Sequence, residues 1–306
     1  MSISTLHRLD KIVMPSSVEI LELTNMRWNA EIEDLLEYPA GHTVPMFVAN
    51  KHQKPAIMFS TPMLSTLLAN VTIAGAALGS TTTYFKKAAT TGGSVARASA
   101  VHKKIVIASS IIYWKSIKLP HNAPGTAEVV IAANYDGTND PFVYTGTVAL
   151  SGNLTATEYF GAGPCSINAV NIPGIAEITI DSGIEEIREG ASSEEFDTFV
   201  GIGPMKPSIT IRTFEMVNWS TYLLRGIALD GAAGVVAYAR KFSSTGSRVA
   251  DATAQHIKFI GLNGKANPTD TNGDNNAPLS DTIRCPLIAI TDSTYPLTLT
   301  AGIAIT

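Results

Sequence analysis

Charge is what this chain has least of. Charged residues make up 16% of its 306 residues, against roughly a quarter in an ordinary soluble domain. So little charge leaves much of the surface to be covered by neutral polar groups or by contact with other chains. A strongly basic balance is missing too: the formal net charge is -4, which argues against a general nucleic-acid binder. Only two cysteines occur, Cys165 and Cys285, too few for a disulfide framework; they read as reduced, buried small hydrophobes of a protein assembled in a cytosol. The apolar run around Ile105–Tyr113 is too short and too interrupted to span a bilayer. The opening residues MSISTLHRLDKIVMPSS have no signal-peptide pattern. These observations lead to the expectation of no membrane partner. Nucleophile elbows, Walker loops and dinucleotide fingerprints are likewise missing, and Gly201-Ile202-Gly203-Pro204 reads as a turn, because proline cannot supply an amide to a phosphate.

What is present is an internal repeat. At an offset of 154, YFKKAATTGGSVARASAVHKKIV from Tyr84 falls on YARKFSSTGSRVADATAQHIKFI from Tyr238. Identities include Tyr84/Tyr238, Lys87/Lys241, Val95/Val249, Ala96/Ala250, His102/His256 and Lys104/Lys258. Chance would supply roughly one or two in such a window. At an offset of 152, KPAIMFST (54–61) falls on KPSITIRT (206–213), and Val18-Glu19-Ile20 is set against Ala176-Glu177-Ile178. The expectation is two tandem units, residues 1–150 and 173–306, joined by a linker over 151–172.

Runs rich in Val, Ile, Thr and Tyr between Gly, Pro, Asn and Asp predict strands. In the first unit these are 18–23, 56–60, 71–74, 104–107, 128–133 and 143–150. In the second they are 176–180, 208–212, 234–238, 257–260, 285–290 and 297–305. NYDGTND and TDSTYP read as hairpin turns between the last two strands of each unit. Thr61-Pro62 opens a short helix, PMLSTLLAN, with Thr61 as N-cap and Pro62 at its first position; TFEMVNWSTYLL from Thr213 is its counterpart. The fold class is therefore mainly β: two homologous sandwich or barrel units, each with one short helix.

The order EILEL, a long acidic loop, KPAIMFST, PMLSTLLAN, ARASAVHKK and ANYDGTNDP resembles the tail-tube proteins of long-tailed phages. With two units per chain it resembles the duplicated subunits of T5-like phages, which build trimeric, pseudo-sixfold rings. The resemblance implies a structural virion protein of the phage tail, not an enzyme, assembled in the host cytoplasm. It implies self-association into stacked rings, contact with other tail proteins, and a conduit through which DNA passes without specific binding. The segment GLNGKANPTDTNGDNNAPLSD (261–281) departs from its counterpart: either it is a longer exterior loop, or the pattern fails there. A tail terminator, a sheath protein, or a carbohydrate- or host-binding sandwich with Trp28 and Trp114 on its face remain as alternatives.

The charges cluster. Glu31, Glu33, Asp34 and Glu37 occupy the first long loop, and Glu185, Glu186, Glu189, Glu194, Glu195 and Asp197 its counterpart. Lys86, Lys87, Lys103 and Lys104 bunch elsewhere, as do Arg240, Lys241 and Arg248. They are either two solvated faces or a ring-stacking interface in which acidic loops meet basic surfaces. Residues 154–306 carry 10 Lys/Arg against 16 Asp/Glu, an acidic bias suited to a channel for DNA. His7, His42, His52, His102, His121 and His256 show no metal-ligand spacing, and no cofactor is expected. His102 and His256 recur with the repeat, as structural positions would. Asp270, Asn272, Asp274, Asn276 and Asp281 match part of a calcium-loop pattern but lack its Gly and Glu, and read as a solvated loop.

Overall fold

The computed structural model describes residues 6–29, 32–41, 43–89, 95–152, 159–190, 194–215, 226–274, 277–291 and 294–306. Among them are 24 strands and one α-helix. The N-terminal half runs β1 (His7–Met14), β2 (Val18–Ile20), β3 (Thr24–Asn29), β4 (Ile32–Glu37), β5 (Phe47–Gln53), β6 (Ala56–Thr61) and α1 (Leu64–Asn70). It continues with β7 (Ala76–Leu78), β8 (Thr81–Lys87), β9 (His102–Ile107), β10 (Ser110–Pro120), β11 (Thr126–Ala133) and β12 (Phe142–Val148). The C-terminal half runs β13 (Tyr159–Ile167), β14 (Val170–Ile172), β15 (Ile175–Asp181), β16 (Ile184–Glu189), β17 (Phe199–Met205) and β18 (Ser208–Thr213). Then follow β19 (Ile227–Leu229), β20 (Val235–Phe242), β21 (His256–Gly261), β22 (Gly264–Asp274), β23 (Ala277–Pro286) and β24 (Leu297–Ile303).

Each strand has its counterpart twelve strands later. The five-stranded sheet β12-β9-β8-β1-β2 matches β24-β21-β20-β13-β14, and hairpin β4–β5 matches β16–β17. One ten-stranded sheet, β19-β22-β23-β18-β15-β10-β11-β6-β3 with β7 also on β10, spans both halves. All these ladders are antiparallel.

Alternation sets the layers. Ile178 and Ile180 of β15 are fully buried while Glu177, Thr179 and Asp181 between them are not. The inward face of the ten-stranded sheet, with Ile57, Phe59, Ile112, Trp114, Ile131, Ile209 and Ile283, packs on both five-stranded sheets and on Leu64, Leu67 and Leu68 of α1 in one continuous core. The halves repeat the same ladder but share that core.

Several expectations need correction. Within the expected 151–172 linker, Tyr159–Ile167 and Val170–Ile172 form β13 and β14. Val18–Ile20 corresponds to Val170–Ile172, which takes the same edge position, and not to Ala176–Ile178. Residues 71–74 form turns, with Gly75 N–H donating to Thr72 O, and the strand starts at Ala76. Segment 261–281 is neither a loop nor a failed pattern: Asp270, Asn272 and Asp274 lie on β22 and Asp281 on β23, with Asn276 outside the described residues. The ladder of β22 compensates for its poor strand chemistry. NYDGTND is a turn, since Asp136 Oδ1 accepts from the Thr138 and Asn139 amides, but it carries the chain from the ten-stranded sheet to a five-stranded one. β23 and β24 stand in the same relation, and residues 292–293 of TDSTYP between them lie outside the described residues. Helix α1 begins at Leu64 rather than Pro62; Thr61 Oγ1 accepts from Met63 N–H at 3.2 Å, as Thr213 Oγ1 accepts from Glu215 N–H at 3.2 Å. Of the counterpart helix, 216–225 lies outside the described residues.

The repeated histidines are wholly buried. His102 Nδ1 accepts from Lys87 N–H at 3.0 Å and Nε2 faces Ala96 O at 3.0 Å; His256 does the same with Lys241 N–H at 3.0 Å and Ala250 O at 3.1 Å. An Nδ1 that accepts fixes the tautomer with hydrogen on Nε2, so each ring staples a strand to the loop preceding the next. His102→Ala removes both bonds at a buried site, and is expected to cost about 2–4 kcal/mol. A lowered urea midpoint with an unchanged slope is the expected readout.

Candidate assembly interface

The two halves meet first along a seam in the ten-stranded sheet. β10 pairs antiparallel with β15, Ser116 opposite Asp181, Ile117 opposite Ile180, Lys118 opposite Thr179 and Leu119 opposite Ile178. His121 N–H donating to Ala176 O and Ser182 N–H donating to Lys115 O extend it at either end. Its inward side chains, Ile117, Leu119, Ile178 and Ile180, are fully buried, each contributing about 1.5–3 kcal/mol of apolar burial. Outward, Lys118 Nζ lies 3.2 Å from Glu177 Oε2. Partial burial raises the Asp181 carboxyl above its ordinary value, while Ser208 Oγ and the Arg284 charge pull it back.

Hairpin β16–β17 then folds over the outer face of the N-terminal half. Ile184 and Ile202 pack on Ala56, Tyr113 and Val130. Tyr113 Oη donates to Glu186 Oε2 at 2.7 Å, and Glu186 also holds Arg188. Gly75 (φ +74°) permits this approach, since a methyl there would lie 2.4 Å from Ile202 Cδ1. The hairpin's connecting loop adds a parallel bridge between Gln53 and Phe196. Gln53 N–H donates to Glu195 O at 2.9 Å and Tyr135 N–H to Asp197 O at 3.0 Å, while the Phe196 and Tyr135 rings sit 5.4 Å apart.

The residues singled out from charge are placed variously. Glu186 is engaged within the chain, and Glu195 contributes its backbone to the same contact. Glu185, exposed, pairs with Lys206. Glu189 and Glu37 are exposed at hairpin ends, Glu194 is half-buried, Glu33 and Asp34 occupy β4, and Glu31 lies outside the described residues. Lys86 and Lys87 end β8 as Arg240 and Lys241 end β20; Arg240 is held by a bidentate pair with Asp251. The structure does not gather the acidic and basic sets into one site within a chain. Trp114 is fully buried and Trp28 half exposed, so they form no shared binding face. Sequence reasoning missed Tyr113, Gln53, Tyr135 and Phe196, because nothing in pattern or spacing marks a contact between halves.

Both cysteines are free and buried; burial raises both thiols, that of Cys285 to about 12. No cluster of three or more potential metal-ligating side chains occurs among the described residues. None of their helices is long and apolar enough to cross a membrane.

Among the described residues the seam between the halves has no second occurrence inside the chain. β3 pairs only with β6, and β22 carries β19 only over Gly264–Ala266, leaving the edge at Asp270–Asp274 without a strand among the described residues. By the offsets of 152 and 154, these are the counterparts of the two strands that meet inside the chain. No family profile and no curated protein matches the sequence; among the described residues β3 and the Asp270–Asp274 stretch of β22 stand at the two ends of the ten-stranded sheet.

Proposed function

We propose that the chain is two copies of one unit and is a structural subunit of a phage tail tube. In this reading three chains close into a pseudo-sixfold ring, and rings stack into a conduit for DNA. One observation carries it: β10 and β15 pair inside the chain while their counterparts β22 and β3 stand at the two ends of the same sheet among the described residues, so the internal seam can serve as the template for one between chains. The same register sets Asp270 opposite Asn29, Thr271 opposite Trp28 and Asn272 opposite Arg27. A seam that joins unlike edges head to tail must close into a ring or run on as a helix, and closure leaves the ten-stranded sheet without an open edge.

The part of the outward face of the ten-stranded sheet that the hairpins leave uncovered is then the channel lining. Lys118, Glu128, Glu177 and Arg212 stand on the outward face among Ser and Thr. Interspersed signs deny a passing polyphosphate the continuous basic track on which it would stick. Other tail proteins are the partners at the tube's ends, and the virion is the place of function.

Electron microscopy of the purified protein tests this. Class averages along the particle axis should show hollow, threefold rings of six lobes. Compact monomers at every concentration would remove the reading.

A further inference from the structure

In the C-terminal half the groove matching the one filled by Phe196 is open. It encloses about 780 Å³ and is lined by Met205, Lys206, Pro207, Leu287, Ile288 and Tyr295. Ile288 is 60% and Tyr295 51% exposed, a high proportion for large apolar side chains at one place. Position by position it repeats the filled groove: Gln53 becomes Met205 and Tyr135 becomes Ala289. Leu287 N–H donates to Pro207 O as Ala133 N–H donates to Pro55 O, and Ile288 N–H to Asn263 O as Asn134 N–H to Ser109 O.

The segment that fills the first groove has a counterpart as well. At the constant offset of 152 that relates β4–β5 to β16–β17, Glu195, Phe196 and Asp197 become Thr43, Val44 and Pro45. The loop and the start of β5 present a run of exposed apolar side chains: Val44 is 61% and Met46 65% exposed in the loop, Phe47 51% and Val48 66% at the start of β5. We propose that the loop between β4 and β5 of a second copy seats in the groove at Met205–Pro207 and Leu287–Tyr295, with Val44 as its anchor. The backbone bonds repeat, from Met205 N–H to Thr43 O and from Ala289 N–H to Pro45 O. The bulky Phe196–Tyr135 pair gives way to Val44 and Ala289, and Tyr295 lines the space gained.

Charge favours the same occupant. Glu186 sits against Tyr113, which is paired with Val130 across the β10–β11 ladder. The corresponding positions are Asp34 of the incoming hairpin and Asn267 with Arg284 of the receiving sheet, beside Lys265. An acidic strand thus arrives where the sheet has gained two cations. The apolar contact inside the chain is replaced by a charged one between chains, suited to a partner that must first remain free in water.

This inference rests on the ring reading only in taking the donor to be a ring neighbour. The test is a double variant, Val44→Cys with Ala289→Cys, oxidised and run without reductant. Phe196→Cys with Tyr135→Cys calibrates it, since that pair should close within one chain. Covalent dimers and trimers from the first variant are expected. A bond closed within a single chain would overturn the proposal, as would rings by microscopy with no cross-link, which leaves the ring reading standing. Monomers alone, by microscopy and gel, would remove both. Val44→Asp offers a second route: it should reduce association at least tenfold without changing the melting temperature, and unchanged association would overturn the proposal.

Discussion

Arg27→Glu should abolish rings while leaving the chain folded. Arg27 is exposed on β3, and the register of the internal seam sets it opposite Asn272 of the neighbouring chain, diagonal to Asp270. Arg27→Glu sets a like charge on the diagonal from Asp270, and such a cross-strand pair costs up to about 1 kcal/mol. A ring of three chains has three such seams, so the loss compounds to about 3 kcal/mol, roughly a hundredfold in ring formation. Its own fold should be indifferent, because exposed substitutions of this sort shift stability by about 0.5 kcal/mol or less. Mass photometry across a concentration series gives the ring fraction, and thermal melting gives the fold. Adding Asp270→Arg should restore assembly, since an opposite-charge pair then stands across the seam. Rings at the unmodified concentration would show that these edges do not meet.

Tyr113→Ala should be the most damaging single truncation on the outer face. Tyr113 is 3% exposed, it anchors the small cluster beneath Ile184 and Ile202, and its hydroxyl donates to Glu186 at 2.7 Å. Removing a buried aromatic ring costs about 3–5 kcal/mol. At about 2–4 °C for each kcal/mol in a chain of this size, melting should fall by about 6–20 °C. Tyr113→Phe, which keeps the ring and loses one hydrogen bond, should cost about 1–2 kcal/mol. Hairpin β16–β17 loses its seat in the alanine variant, so trypsin should cleave after Arg188, whose side chain is only 9% exposed when docked. A melting temperature within about 2 °C of the parent would mean that the hairpin is held by its loop alone.

The strands carrying β-branched residues in alternation were legible from sequence: β6, β11, β15, β18 and β21 fall within a few residues of where composition places them. So were the repeated histidines, whose environments recur donor for donor. The contacts between halves were not. β22 is written GKANPTDTNGD, which has the chemistry of a loop, and is a strand because β23 supplies its ladder; tertiary pairing overrides weak local preference. β1 and β13 were hidden by mixed patterns that become intelligible only once a five-stranded sheet lies on each side of the core. Acidic clustering was visible, but not its use: Glu186 is committed to Tyr113, a partner 73 residues away. Separation of that length leaves no periodic trace in the sequence.

The chemistry of the two seams is unlike, and this bears on timing. Inside the chain the joint is greased by Ile117, Leu119, Ile178 and Ile180, while the matching positions on the open edges are Thr271, Gly273, Met26 and Trp28. A joint between covalently tethered halves closes at once, because its ends are never dilute. The open edges carry the charges of Arg27 and Asp270, which discourage casual pairing, so in the proposed ring each newly made chain would be a finished third of a circle that waits in solution. A ring made this way would open at three places rather than six.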